Sequence, residues 1–143
     1  IVDDQLNELI NKYLSEKAIL FALFDSCHSG SVLDLKYCFN NNENNNTLVA
    51  NDNTQEQKSK GQVIMISGCA DSQTSADAYI SSTQTFQGAM TYAYLNSYVK
   101  NTTCVDLVTN MNTLLQKEQY EQTPQLSFKK IENDWQHKIW CNK

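Results

Sequence analysis

Seven apolar residues in succession, Ala18-Ile19-Leu20-Phe21-Ala22-Leu23-Phe24, stop abruptly at Asp25-Ser26-Cys27-His28-Ser29-Gly30. The run is far shorter than the ~20 residues a membrane-spanning helix requires. Bounded by polar and small residues, it predicts a strand buried on both faces, most naturally in a parallel sheet. Val63-Ile64-Met65-Ile66 repeats the pattern and ends in Ser67-Gly68-Cys69-Ala70-Asp71. Helical spacing of Leu6, Leu9, Ile10, Tyr13 and Leu14 predicts a helix over Asp4–Leu14, with Asp3 as its N-cap. Two more helices are predicted, about Gly88 to Val99 and about Val105 to Glu118, while Pro124 bars helix from Pro124-Gln125-Leu126-Ser127. The tail is expected to hold one more strand, near Ile139-Trp140. Strands alternating with helices predict an α/β fold with a mostly parallel sheet flanked by helices. The stretch from Lys36 to Lys60 breaks this texture with Asn40-Asn41-Asn42-Glu43-Asn44-Asn45-Asn46 and Gln55-Glu56-Gln57-Lys58. It has too little apolar surface to offset its ordering entropy, so a flexible Asn-rich loop is expected at about 36–62.

With 143 residues the chain is one domain or a large part of one. It carries 11 basic and 16 acidic residues, a formal charge of −5, which speaks against nucleic-acid binding because such domains carry a basic face. Five cysteines, an odd number without C-x-x-C spacing, fit neither a disulfide scaffold nor a zinc site. A reducing, cytoplasmic compartment is the expectation. The opening Ile1-Val2-Asp3-Asp4 has neither initiator Met nor basic leader, and we expect the chain to be a piece of something longer.

Cys27 is the sharpest candidate. A cysteine buried in a core is ordinarily a small inert hydrophobe. This one follows directly on the carboxyl end of a predicted strand, where open α/β sheets gather ligands and reactive groups. Ser29-Gly30-Ser31-Val32-Leu33 can start a helix, whose N-terminus would favour the nucleophilic thiolate. Asp25, two residues earlier, shares a face with Cys27 in extended chain. A carboxylate there opposes thiolate formation, so its expected task is to bind a cationic substrate group; capping the next helix is the other reading. His28 is poorly placed as a base, because adjacent side chains at a strand end point apart. His137 lies in a polar tail and reads as a surface residue.

Asp25-Ser26-Cys27-His28-Ser29-Gly30 with Ser31-Val32-Leu33-Asp34-Leu35 resembles the nucleophile segment of metacaspases, particularly type I. Val63 to Ala78, with Ser67-Gly68-Cys69-Ala70-Asp71-Ser72-Gln73-Thr74-Ser75-Ala76-Asp77, is similar to the family's second signature. Gly88-Ala89-Met90-Thr91-Tyr92-Ala93 and Pro124-Gln125-Leu126-Ser127 resemble two further family segments, in family order. The caspase-type Q-A-C-x-G motif is absent, which favours metacaspase over true caspase.

The resemblance implies a caspase–hemoglobinase fold, of which residues 1–143 would be the C-terminal portion, and a cysteine endopeptidase cleaving after Arg or Lys. Cys27 would be the nucleophile, and Asp25 with Asp77 would hold the basic side chain, two carboxylates that also reject acidic ones. Asp71 is a lesser candidate, a turn residue by type. The resemblance also implies activation by Ca²⁺, with Asp3, Asp4 and Asp34 as ligands. Three carboxylates fall short of the six to eight oxygens calcium takes, and helix capping is the simpler reading of Asp3-Asp4. The family's catalytic His lies upstream of the nucleophile, in a His-x-x-Gly-His-Gly-like segment with no counterpart in residues 1–143. The expected partner is therefore an N-terminal segment or chain of the same domain, supplying that His and the first strands. Self-cleavage in the Asn-rich loop at Lys58 or Lys60 is a further expectation. Two other readings stand beside the protease. One is a catalytically inactive homologue acting as a structural subunit. The other is a redox domain pairing Cys27 with Cys38 or Cys69.

Overall fold

The computed structural model describes residues 3–26, 32–42, 45–50, 60–68, 77–80, 85–100 and 102–130. Its elements run α1 (Asp3–Tyr13), β1 (Ile19–Phe24), β2 (Tyr37–Asn42), β3 (Asn45–Ala50), β4 (Gln62–Ser67), β5 (Asp77–Ile80), β6 (Thr85–Gly88), α2 (Ala89–Ser97), α3 (Cys104–Lys117) and β7 (Gln125–Phe128). Five strands form one sheet in the order β1-β4-β7-β2-β3, and β5 and β6 form a separate antiparallel ribbon leading into α2. The expected α/β class holds, but the sheet is mixed. Among the described residues only β1 and β4 pair in parallel, while β4–β7, β7–β2 and β2–β3 are antiparallel.

β4 is the spine. Val63 and Met65 bury into one face, Ile64 and Ile66 into the other, so the uninterrupted apolar run is what a strand covered on both sides requires. On one side Ile64, Ile66, Leu126, Phe128 and Phe39 pack beneath α2 and α3, through Met90, Ala93, Leu107, Val108, Met111 and Leu115. Each fully buried side chain of this size is worth about 1.5–3 kcal/mol of transfer free energy. On the other side Val63 and Met65 meet Ile10, Leu33 and Leu35, with Leu6 and Leu14 of the α1 segment packed around them. Leu6, Ile10 and Leu14 recur every fourth residue, the spacing that aligns one helical face. Leu9 and Tyr13, counted in the same pattern from sequence, are instead 49% and 68% exposed. Asp3 is the first residue of α1 rather than its cap, a shift of one position, and its Oδ1 accepts from Asp4 N at 3.0 Å.

Three expectations are corrected. β1 is half-buried rather than fully buried: Phe21 packs on one core and Leu20, Ala22 and Phe24 on the other, but among the described residues it pairs with β4 alone at the sheet's edge, and Ile19 and Leu23 are 44% and 40% exposed. An apolar groove of about 690 Å³ follows it, lined by residues including Leu6, Ile10, Leu20, Leu23 and Val32. The loop expected at about 36–62 begins instead as the β2–β3 hairpin, registered from Tyr37↔Ala50 to Asn42↔Asn45, and β4 already starts at Gln62. Tyr37 and Phe39, two apart and so on one face, anchor it in the core beneath α3. Residues 51–59, including Lys58, lie outside the described residues, as does the tail from residue 131 with Ile139-Trp140, His137 and Cys141. The helix expected to start after Gly30 does not continue through residues 32–36, which form a turn. Leu33 and Leu35, both buried two residues apart, and Asp34 at φ 44° are incompatible with one.

Candidate active site

Because β1 and β4 run parallel and in register, Phe24↔Ser67, their carboxyl ends are level. Gly68 N donates to Phe24 O at 2.7 Å, extending the pairing one step past the strands. Asp25 is the next residue, and Cys27 follows it after Ser26. Cys27, His28 and the rest of 27–31 lie outside the described residues.

Asp25 reaches across to the start of α2. Its Oδ2 accepts from Thr91 N at 3.0 Å and from Thr91 Oγ1 at 2.6 Å, a contact between residues 66 apart in sequence. Thr91 is the third residue of α2, where a capping oxygen normally meets an otherwise unpaired N–H. The residue before the helix, Gly88, offers no side-chain cap, so Asp25 caps α2 from another strand. A negative group there also meets the positive end of the helix dipole. The second oxygen, Oδ1, is buried and has no hydrogen-bond donor among the described residues. Two glycines make room for the carboxylate. A Cβ on Gly88 would collide with Oδ2 and lie 2.9 Å from Oδ1, and one on Gly68 would lie 3.3 Å from Oδ1.

Asp77 enters through its backbone. It opens β5 and pairs with Gly88, the residue on which the Asp25 carboxylate rests. The register therefore brings the two proposed pocket acids to one place in the fold. Asp71, like Cys69, lies outside the described residues.

The proposed calcium ligands are distributed differently. Asp3 and Asp4 are exposed in the first turn of α1. Asp34 is exposed too, and its Oδ2 accepts from Asn7 Nδ2 at 3.4 Å, which ties it to the next turn of the same helix. No group of three or more Asp, Glu, His or Cys side chains fit to hold a metal ion occurs among the described residues. These three acids therefore do not make a calcium site by themselves. Of the redox pairings, Cys27 and Cys69 lie outside the described residues, and Cys38 is a half-buried thiol within β2. Cys104 is fully buried among the core side chains.

The caspase-domain family model matches residues 1–135. The chain belongs to that family. Within it the chain is metacaspase-like: it is 36% identical to Metacaspase-5 of Trypanosoma brucei brucei over 91% of its own length and 28% of that protein's. It is 35% identical to Metacaspase-3 of Trypanosoma brucei brucei, over 91% of this chain and 39% of the relative. With Metacaspase-1 of Lodderomyces elongisporus the identity is 31%, over 99% and 40%. The chain thus spans two fifths or less of the length of these relatives. The fold and the segments around Asp25, Gly68 and Gly88 stand with this family. Thr91 and the two glycines that frame Asp25 were not singled out by local sequence reasoning. The only signal for them was their place inside segments that resemble the family.

Proposed function

We propose that this chain is the nucleophile-bearing part of a cysteine endopeptidase that cleaves after Arg or Lys. The observation that carries the reading is Asp25: a carboxylate two residues ahead of a cysteine at a sheet's carboxyl end, anchored by one oxygen while the other is buried without a donor among the described residues. A buried acceptor left unmet costs about 1–3 kcal/mol, more when charged. A guanidinium or ammonium group is the partner that relieves this, through charge-assisted hydrogen bonds. Asp77, the backbone partner of Gly88 in the β5–β6 register, is proposed as the second carboxylate.

In the proposed reaction the Cys27 thiolate attacks the carbonyl of the peptide bond after Lys or Arg. An imidazolium from a segment beyond these residues protonates the leaving amine, and backbone N–H groups hold the oxyanion. That segment would pair along β1, which among the described residues is bonded to β4 alone and whose half-exposed Ile19 and Leu23 and adjoining apolar groove suit a further strand. Calcium activation through Asp3, Asp4 and Asp34 is part of the proposal, supported by the Asn7–Asp34 tie and requiring further oxygen ligands. Self-processing is proposed at Lys58. The alternative bond after Lys60 is tied down, since Lys60 O accepts from Lys130 Nζ at 2.8 Å and Gly61, the next residue, is buried, whereas nicking needs backbone that can be drawn out of the fold.

An arginyl peptide ketone that alkylates thiols tests the reading in full-length protein with calcium. We expect stoichiometric labelling at Cys27, none in Cys27→Ala, and none with the aspartyl analogue. Failure of the arginyl probe to label would point instead to a structural homologue without activity. Intact mass before and after calcium addition tests processing; an unchanged mass in an active protein would remove that part.

A further inference from the structure

We propose that Thr91 is a positioning residue for the basic-side-chain pocket. By directing both of its donors to Oδ2 of Asp25, it fixes the carboxylate so that Oδ1 is held ready for a substrate cation. This inference rests on the peptidase reading above and extends it to a residue on a different element.

The cap on α2 is uneconomical. A helix start is most simply capped by Ser, Thr, Asn or Asp at the position before it. Here that position is Gly88, which has no side chain to offer, and the cap comes from Asp25. A carboxylate has about four lone-pair sites spread over two oxygens. A pure cap would be free to share its donors between them. Instead the N–H and the hydroxyl of Thr91, at 3.0 and 2.6 Å, both take Oδ2, and Oδ1 is buried with none among the described residues. Gly88 and Gly68 leave room for the arrangement, since a Cβ at either would press on Oδ1, at 2.9 and 3.3 Å. Two donors on one oxygen pin the carboxylate plane, and the short hydroxyl bond is of the charge-assisted kind. The surplus acceptor is then a fixed, partly desolvated negative charge, pre-organised for one cationic donor.

The experiment uses full-length protein with calcium and two peptides. They differ only in carrying arginine or its uncharged isostere citrulline before the scissile bond. Thr91→Val removes the hydroxyl while keeping the N–H. It should lower kcat/KM on the arginine peptide about tenfold, mainly through KM, with a smaller loss on the citrulline peptide, so the arginine-to-citrulline preference falls. Thr91→Ser, which restores a hydroxyl, should restore the preference. A merely structural cap would lower both peptides alike, and an unchanged preference in Thr91→Val would overturn the proposal. Should Thr91→Val fail to fold, the wild-type protein gives the answer by NMR. The Thr91 amide should shift on labelling with an arginyl ketone and not with its citrulline counterpart, and equal shifts would overturn the proposal. If the wild-type protein cleaves neither peptide, the peptidase reading itself falls, and this inference with it.

Discussion

At the amino end of β4 the chain is tied to itself. Lys129 Nζ donates to Gly61 O at 3.3 Å and Lys130 Nζ to Lys60 O at 2.8 Å, while Gln62 Nε2 reaches Lys130 O at 2.9 Å and Lys129 N reaches Val63 O at 3.0 Å. At the carboxyl end of the same strand, Gly68 lies beside a carboxylate that has one oxygen anchored and one left over. Gln62 Oε1 at the amino end is also buried and unmet, but it is a neutral amide oxygen whose own Nε2 is engaged. An unmet anion is the costlier omission. One end spends its polar groups on holding the fold. The other leaves Ser67 Oγ and Asp25 Oδ1 unmet among the described residues, and of the two only the carboxylate oxygen carries charge; that contrast is what distinguishes a seam from a site in a strand whose two ends look equally small and polar in sequence.

Substitutions at the two ends should therefore separate activity from stability. The largest effect is expected at the carboxyl end. Asp25→Asn places a donor where the cation should bind, and should cost full-length protein about 10²-fold or more in kcat/KM on an arginine peptide, leaving the melting temperature nearly unchanged. Equal activity would erase the contrast. Next comes Gly61→Ala at the amino end. Its Cβ would lie 2.5 Å from Ser15 O, 2.7 Å from Leu14 Cγ and 2.8 Å from Ala18 O, two of them backbone atoms. The expected loss is about 2–4 kcal/mol of stability, read by denaturant unfolding, with the arginine preference of the remaining folded protein intact. The smallest effect concerns Lys129, whose pKa is lowered, first by desolvation and then by the charge of Lys130. Its folded pKa lies below the unfolded one, so between the two the unfolded chain holds more protons and stability rises with pH. Unfolding midpoints from about pH 8 to 10.5 should climb slightly more in the wild type than in Lys129→Met. Parallel curves would show that this lysine is as well solvated as one at the surface.

Much of the frame is legible in the chain. The apolar runs at 18–24 and 63–66 are β1 and β4, and the helical periodicities before and after Tyr98 are α2 and α3. The β2–β3 hairpin was hidden because its pairing is supplied by the sheet. Cys38 bonds across to Ser127 and Val49 as a backbone partner, and two aromatic anchors, Tyr37 and Phe39, are enough to seat a segment otherwise rich in Asn. β1 misled in the opposite direction, since an apolar run does not say whether a neighbour lies on one side or two. At the site, the Asp25–Cys27 spacing could be read because it is local and matches a known segment. The Asp25–Thr91 bonds could not, because 66 residues separate partners that meet only once β1 and α2 are in place.

A single carboxylate here caps the start of a helix and, in the proposed function, receives the substrate's cation, so the protein cannot retool its taste for substrates by exchanging that acid for just any residue. A lineage moving toward other targets would have to keep a capping oxygen at this position, as Asn would, or first acquire a replacement anchor for α2.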